Sequence, residues 1–145
     1  MIDDYAGLSS IERARLERFA TEFEDIDPAD YELFAGTASA PEDVAAAQDA
    51  ANRMIGSGSR RAAIKRAVKA FTAAADLNIS RRFRAVDLLF GSRSFPSRPE
   101  DRTRLLASIE RAVAAVILWD ELSDDERAAL VGPWSMVVDR ALAPG

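Results

Sequence analysis

The side chains best suited to binding chemistry in this sequence are cationic, and they lie in its middle third. Arg61, Lys65 and Lys69 recur every four residues, which puts three positive charges along one ridge of a helix. A second cluster follows, and it consists of Arg81, Arg82 and Arg84. Guanidinium and ammonium groups bind phosphate and carboxylate oxygens. Residues 60–84 are therefore a candidate site for a nucleic acid or a small anion.

The segment between the two clusters resembles the centre of a bacterial helix-turn-helix. It reads Ala74-Ala-Asp-Leu77-Asn78-Ile79-Ser80-Arg81-Arg82. An apolar residue before a turn at Asn78 and an Ile-Ser pair after it would let two helices cross closely. The match ends at Arg84, where that motif has an apolar residue. The resemblance implies nucleic-acid binding, but because the match ends at Arg84 we favour an ordinary corner between two helices.

Opposite charges are segregated along the chain. Residues 1–50 carry a net charge of −10, residues 51–111 carry +9 and residues 112–145 carry −4. Such blocks attract each other within one fold, pair between subunits, or face separate partners. We expect the first arrangement, in which the acidic N-terminal third covers the basic segment.

The sequence lacks the residue types that most enzymes use. It has no Cys and no His, which excludes disulfides, thiolate zinc sites, a cysteine nucleophile and a histidine base. Its two carboxylate clusters, at 24–30 and 120–126, lack the glycine and spacing of a calcium loop. The loop Gly56-Ser-Gly-Ser59 matches no phosphate-binding motif and predicts a hinge. We expect no catalysis, no metal and no cofactor.

Capping signals and apolar periodicity predict an all-α fold. With 145 residues, 48 % apolar and 30 % charged, the chain is expected to form a single domain over 1–145. Capping boxes are predicted at four sites. They pair Ser9 with Glu12, Ser39 with Glu42, Ser97 with Glu100 and Ser123 with Glu126. Asp27-Pro28 predicts a short helix that ends at Gly36.

The remaining helices are predicted from the same signals. One spans about 60–75, Ser80 caps the next, and the longest covers about 98–121. Residues 112–119 of that longest helix are apolar on every side, which is typical of the central helix of a bundle. We expect six to eight helices in all.

The sequence favours a protein that acts by binding. Phe95, Trp119 and Trp134 are candidate interface residues, because aromatic side chains are enriched at protein interfaces. We expect a non-catalytic helical interaction module that forms a homodimer or binds another protein. A nucleic-acid-binding protein that uses residues 60–84 is the alternative, and a small-anion-binding protein is third. No apolar run is long enough to span a bilayer and no signal peptide is evident, so we expect a cytoplasmic protein without membrane contact.

Overall fold

A computed structural model describes residues 4–25, 40–90 and 99–143, and every regular element in these ranges is helical. The α-helices are α1 (Ser10–Glu24), α2 (Pro41–Ile55), α3 (Gly58–Phe90), α4 (Pro99–Ile117), α5 (Asp124–Val131) and α6 (Ser135–Leu142). Two 3-10 turns span Trp119–Glu121 and Gly132–Trp134. The all-α prediction is confirmed for this part of the chain.

Some sequence predictions fall outside the described residues. The short helix from Asp27 to Gly36, the loop 91–97 with Phe95, and Ser97 of one capping box all lie there.

Helix starts follow the predicted caps in α1 and α5. The Ser9 hydroxyl accepts from the Glu12 amide at 3.1 Å, and the Glu12 carboxylate accepts from the Ser9 amide at 2.8 Å. Ser123 and Glu126 repeat both bonds at the start of α5. Ala40 is the N-cap residue of α2 and provides no side-chain cap, whereas Ser39 of the box predicted there lies outside the described residues. Pro41 at the first helical position has no amide that would need one.

The predicted turn at Asn78 does not exist. α3 runs without a break from Gly58 to Phe90, so Ser80 caps no helix and the helix-turn-helix interpretation is wrong. The buried positions Phe71, Ala75 and Ile79 continue one apolar stripe through the segment. Asn is a weaker helix former than Ala, by about 0.7 kcal/mol at most. Burial of this apolar stripe outweighs that cost. Two of the predicted helices, the one over about 60–75 and the one that Ser80 is expected to cap, form a single helix in the described part of the chain, so the predicted number of separate helices is slightly off there.

The apolar segment of α4 is buried within the single chain. Residues 112–118 are at most 6 % exposed, and α4 contacts α1, α2, α3 and α5. Phe19 stacks on Phe71 with ring centres 5.1 Å apart, and Phe23 lies 5.3 Å from Trp134. α4 ends at Ile117 rather than at 121, and α3 is longer than α4.

Two arginines from other helices close the C-terminal end of α4. Arg15 donates to the Ile117 carbonyl at 3.3 Å and to the Asp120 carboxylate at 2.8 Å. Arg127 donates to the Trp119 carbonyl at 2.7 Å and lies over the Trp119 ring. Positive charge is favourable here because a helix C-terminus carries partial negative charge and unpaired carbonyls. These contacts fix α1 and α5 against α4.

Candidate functional site: a cationic groove

A groove of about 730 Å³ lies between α2, α3 and α4, and we call it the α2-α3-α4 groove. Its apolar lining is supplied by Ile55, Ile64, Val68, Leu106 and Ala114. Ile55, Val68 and Leu106 are only partly buried, although they pack on the main core. The groove therefore exposes apolar surface that is continuous with the core.

Small residues and one tight connection bring α2 to the groove. Ala47, Ala50 and Ala51 are the buried residues of α2, and their short side chains let this helix approach its neighbours closely. Gly56 and Gly58 join α2 to α3 with φ angles of 70° and 74°, a conformation that favours glycine. The predicted hinge at 56–59 is thus a glycine-based connection between two groove helices.

Three cations line the groove. Lys65 and Lys69 are exposed and lie one turn apart on α3, and Arg111 is partly buried on α4. Within the described part of the chain, none of the three forms a hydrogen bond or ion pair. Burial lowers the pKa of Arg111, and the neighbouring Glu110 carboxylate opposes this effect. An arginine nevertheless stays protonated in a protein, so Arg111 holds a partly desolvated positive charge.

The acidic residues of the groove only partly offset these charges. Asp76 is ion-paired with Arg102, which also donates to the Ser80 hydroxyl. Glu110 is exposed beside Arg111. Asp76 is already neutralised by an arginine outside the lining, so among the described lining residues three cations face one remaining carboxylate. The groove is therefore apolar at its floor and positive at its walls.

The structure separates the cationic residues that the sequence grouped together. Lys65 and Lys69 line the groove, whereas the Arg61 guanidinium donates to the Gly56 carbonyl at 3.3 Å. At 100° per residue, Arg81 lies about 120° around α3 from Lys69. Arg82 and Arg84 belong to α3, but their side chains are outside the described part. All three arginines of the second cluster belong to the continuous helix α3, and not to the first turn of a helix that begins at Ser80.

The candidate interface residues Trp119 and Trp134 differ in burial and in their partners. Trp134 is fully buried, and its indole N–H donates to the Ser108 hydroxyl at 3.0 Å. It is a core residue of the fold and not a surface residue. Trp119 is partly buried, with the Arg127 guanidinium 4.6 Å from its ring centre.

Among the described residues, the basic block forms ion pairs with the two acidic blocks through Arg60. Its guanidinium lies 3.8 Å from Glu12 in the acidic N-terminal third and pairs with Glu121 in the acidic C-terminal third. Arg66 donates to the Ala6 carbonyl at 2.8 Å, where Gly7 approaches Ala63 too closely to carry a Cβ atom. Thus the basic segment contacts both acidic ends, but Lys65 and Lys69 take no part in these contacts.

A second cavity, of about 500 Å³, lies between α2 and α5 and is lined by alanines with Asp43, Asp125 and Glu126. Hydrogen bonds from the backbone and side chain of Ser123 lower the pKa of Glu126, so this carboxylate is engaged as a helix cap. Among the described residues, no group of three or more His, Cys, Asp or Glu side chains is arranged to hold a metal ion.

Sequence reasoning missed Arg111 and the α2 wall of the groove. Arg111 directly precedes the all-apolar segment of α4, and a charge at the edge of such a segment is a signal of partial burial. Gln48 and Asn52, which line the α2 wall, carry no such signal.

Comparisons with protein-family models, with curated proteins and with solved structures find no match for this chain. Among the described residues, no helix has the length and apolar character that crossing a membrane requires.

Proposed function

We propose that the chain is a non-catalytic helical module that binds a protein partner in the α2-α3-α4 groove. The observation that carries this proposal is the combination of partly buried apolar side chains with three cations that form no hydrogen bond or ion pair in the described part of the chain. Apolar surface left open beside polar groups is typical of interaction sites. In this proposal residues 1–145 form one bundle around α4, and the bundle serves as a rigid support for the groove.

Self-association was the other form of this function that the sequence favoured. The apolar segment 112–118 and Trp134 cannot supply its interface, because both are buried within the chain. In this proposal the groove, which is lined by partly buried apolar residues and three cations, binds a partner of different sequence.

Nucleic-acid binding is a second candidate, supported by the exposed ridge of Arg61, Lys65 and Lys69. The net charge of −5 weakens it, because phosphate binding depends on an excess of positive charge. The separation of Arg81 from this ridge weakens it further. α3 is continuous through Asn78, so the described residues lack the turn on which the helix-turn-helix version of this hypothesis depends.

A library of random peptides displayed on phage tests the proposed function without assuming a composition. Ala73 and Ala74 are neighbouring exposed residues of α3, but only Ala73 lines the groove. Peptides selected on the wild-type protein should bind Ala74→Trp with unchanged affinity and lose binding to Ala73→Trp. Failure to select any peptide, or equal binding to both variants, would refute the groove as the binding site.

A further inference from the structure

The α2-α3-α4 groove has the length of a short helix. Its lining extends along α3 from Ile64 to Asp76, which is about 18 Å at 1.5 Å per residue. Along α4 it extends from Leu106 to Ala114, or about 12 Å by the same rise. A groove of this extent matches two to three turns of a docked helix.

The lining also suits the close approach of a helix. Ala73, Ala107 and Ala114 line the groove with minimal side chains, so a further helix axis can come near α3 and α4. The partly buried Ile55, Val68 and Leu106 also line the groove and are packed on the core. A partner helix with an apolar stripe would cover these three side chains and extend the core. Helices that dock in this way present anchors at i, i+3, i+4 and i+7.

The cations of the groove determine which charges are favourable on the flanks of a docked helix. Lys65 and Lys69 are separated by about 6 Å along α3, the distance between residues i and i+4 of a partner helix. Arg111 lies on the α4 wall as a half-buried cation, beside Glu110 as the one unneutralised carboxylate. Carboxylates on the partner would face all three cations, whereas partner cations would meet like charge.

We propose that the α2-α3-α4 groove binds an acidic amphipathic helix of another protein, with its apolar stripe on Ile55, Val68 and Leu106 and its carboxylates on Lys65, Lys69 and Arg111. This inference rests on the proposed function and names the chemistry of the partner. It requires no residue outside the described part of the chain.

Synthetic peptides test this occupant directly. The probe is an 18-residue helix with Leu at i, i+3, i+4 and i+7 and Glu on both flanks. One control peptide carries Lys in place of every Glu, and a second has the Leu positions scrambled. Fluorescence anisotropy at low salt should show binding of the acidic helix only.

Two charge variants localise the contact. Lys65→Gln with Lys69→Gln should weaken binding of the acidic peptide about tenfold, since each exposed ion pair contributes up to about a factor of five. The matched control, Arg81→Gln with Arg104→Gln, removes the same charge from exposed positions outside the groove lining and should leave affinity unchanged. Equal weakening by both double variants would overturn the proposal.

The outcomes separate this inference from the proposed function. If the Lys peptide binds as tightly as the Glu peptide and Ala73→Trp abolishes both, the groove binds helices but the acidic partner is wrong. If neither designed nor selected peptides respond to Ala73→Trp, both proposals fail. A concentration-dependent dimer that is lost in Ala73→Trp would make a second copy of this chain the occupant and would also overturn the inference.

Discussion

Arg102 on α4 is ion-paired with Asp76 on α3, and the same guanidinium donates to Ser80 one helical turn further along. The contact therefore spans the point at which the sequence predicts a turn. It joins two walls of the α2-α3-α4 groove and neutralises the carboxylate at one end of the lining. The Arg102 and Asp76 side chains are each a little over a third exposed, so their ion pair is neither buried nor fully solvated.

Replacement of Arg102 by Gln should lower the melting temperature by about 2–4 °C. A partly exposed ion pair contributes up to about 1 kcal/mol to the free energy of unfolding. In a domain of this size, a loss of about 1 kcal/mol lowers the melting temperature by about 2–4 °C. Arg104→Gln is the control, because Arg104 is an exposed residue of the same helix without an ion pair among the described residues. Thermal unfolding followed by circular dichroism gives both values. Equal melting temperatures for the two variants would show that the Arg102 contact does not stabilise the fold.

The sequence predicts the helices well where local signals and packing agree, and it fails where they conflict. The capping boxes at Ser9 and Ser123 are confirmed because both partners are neighbours in the chain. The turn at Asn78 is wrong because burial of Ile79 and the Arg102 contact involve residues distant in sequence. For the same reason the sequence identifies Lys65 and Lys69 but not Arg111, which a distant helix brings to them.

Replacement of Arg111 by Met should stabilise the free protein and weaken peptide binding. Met retains the long side chain but removes a partly buried charge that forms no hydrogen bond or ion pair among the described residues and has only the neighbouring Glu110 carboxylate to offset its burial. We expect a rise in melting temperature of about 1–4 °C, since relief of a partly desolvated charge is on the order of 0.5–1 kcal/mol. Calorimetry on the free variant measures this rise.

The same variant should bind the acidic peptide at least about tenfold more weakly, since loss of a partly buried charge pair costs about 1.4 kcal/mol or more. Lys69→Met is the comparison, because it removes an exposed charge from the opposite wall. If Arg111→Met destabilises the free protein, the guanidinium has a structural partner and is not held ready for a ligand.

Replacement of Ser108 by Ala should destabilise the fold by about 1–3 kcal/mol, the cost of removing a partner from a buried polar group. The Ser108 hydroxyl accepts from the Trp134 indole at 3.0 Å and donates to the Leu105 carbonyl at 2.7 Å. Urea unfolding followed by tryptophan fluorescence measures the loss. Ser135→Ala, at an exposed position on α6, should change stability little. A loss no greater than that of this control would mean that the hydrogen bond is replaced within the core.

Acid should weaken the contact between α1 and the end of α4. The hydrogen bond and positive charge of Arg15 hold the pKa of Asp120 below its ordinary value of 3.8. A carboxyl group with a lowered folded-state pKa stabilises the fold above its unfolded pKa, and this contribution is lost as the pH falls through the folded value. Asp120→Asn should therefore show a shallower loss of stability below about pH 4 than the wild type. Thermal unfolding between about pH 2 and 7 measures the two profiles, with Asp139→Asn on α6 as the control. Coincident wild-type and Asp120→Asn profiles would exclude this linkage.

Duplex DNA should bind this protein too weakly to detect at moderate salt. Among the described residues of α3, the exposed cations spaced every four residues are Arg61, Lys65 and Lys69. Three phosphate contacts would give a slope of only about −2.7 for the logarithm of the binding constant against the logarithm of the salt concentration. The net charge of −5 adds long-range repulsion from the DNA backbone.

Anisotropy titrations of labelled DNA between about 50 and 200 mM salt measure both the affinity for DNA and its salt slope. The triple variant with Gln at 61, 65 and 69 is compared with Arg81→Gln/Arg104→Gln. Tight, salt-sensitive binding that the triple variant alone abolishes would make phosphate recognition by α3 the function and displace the protein-binding proposal.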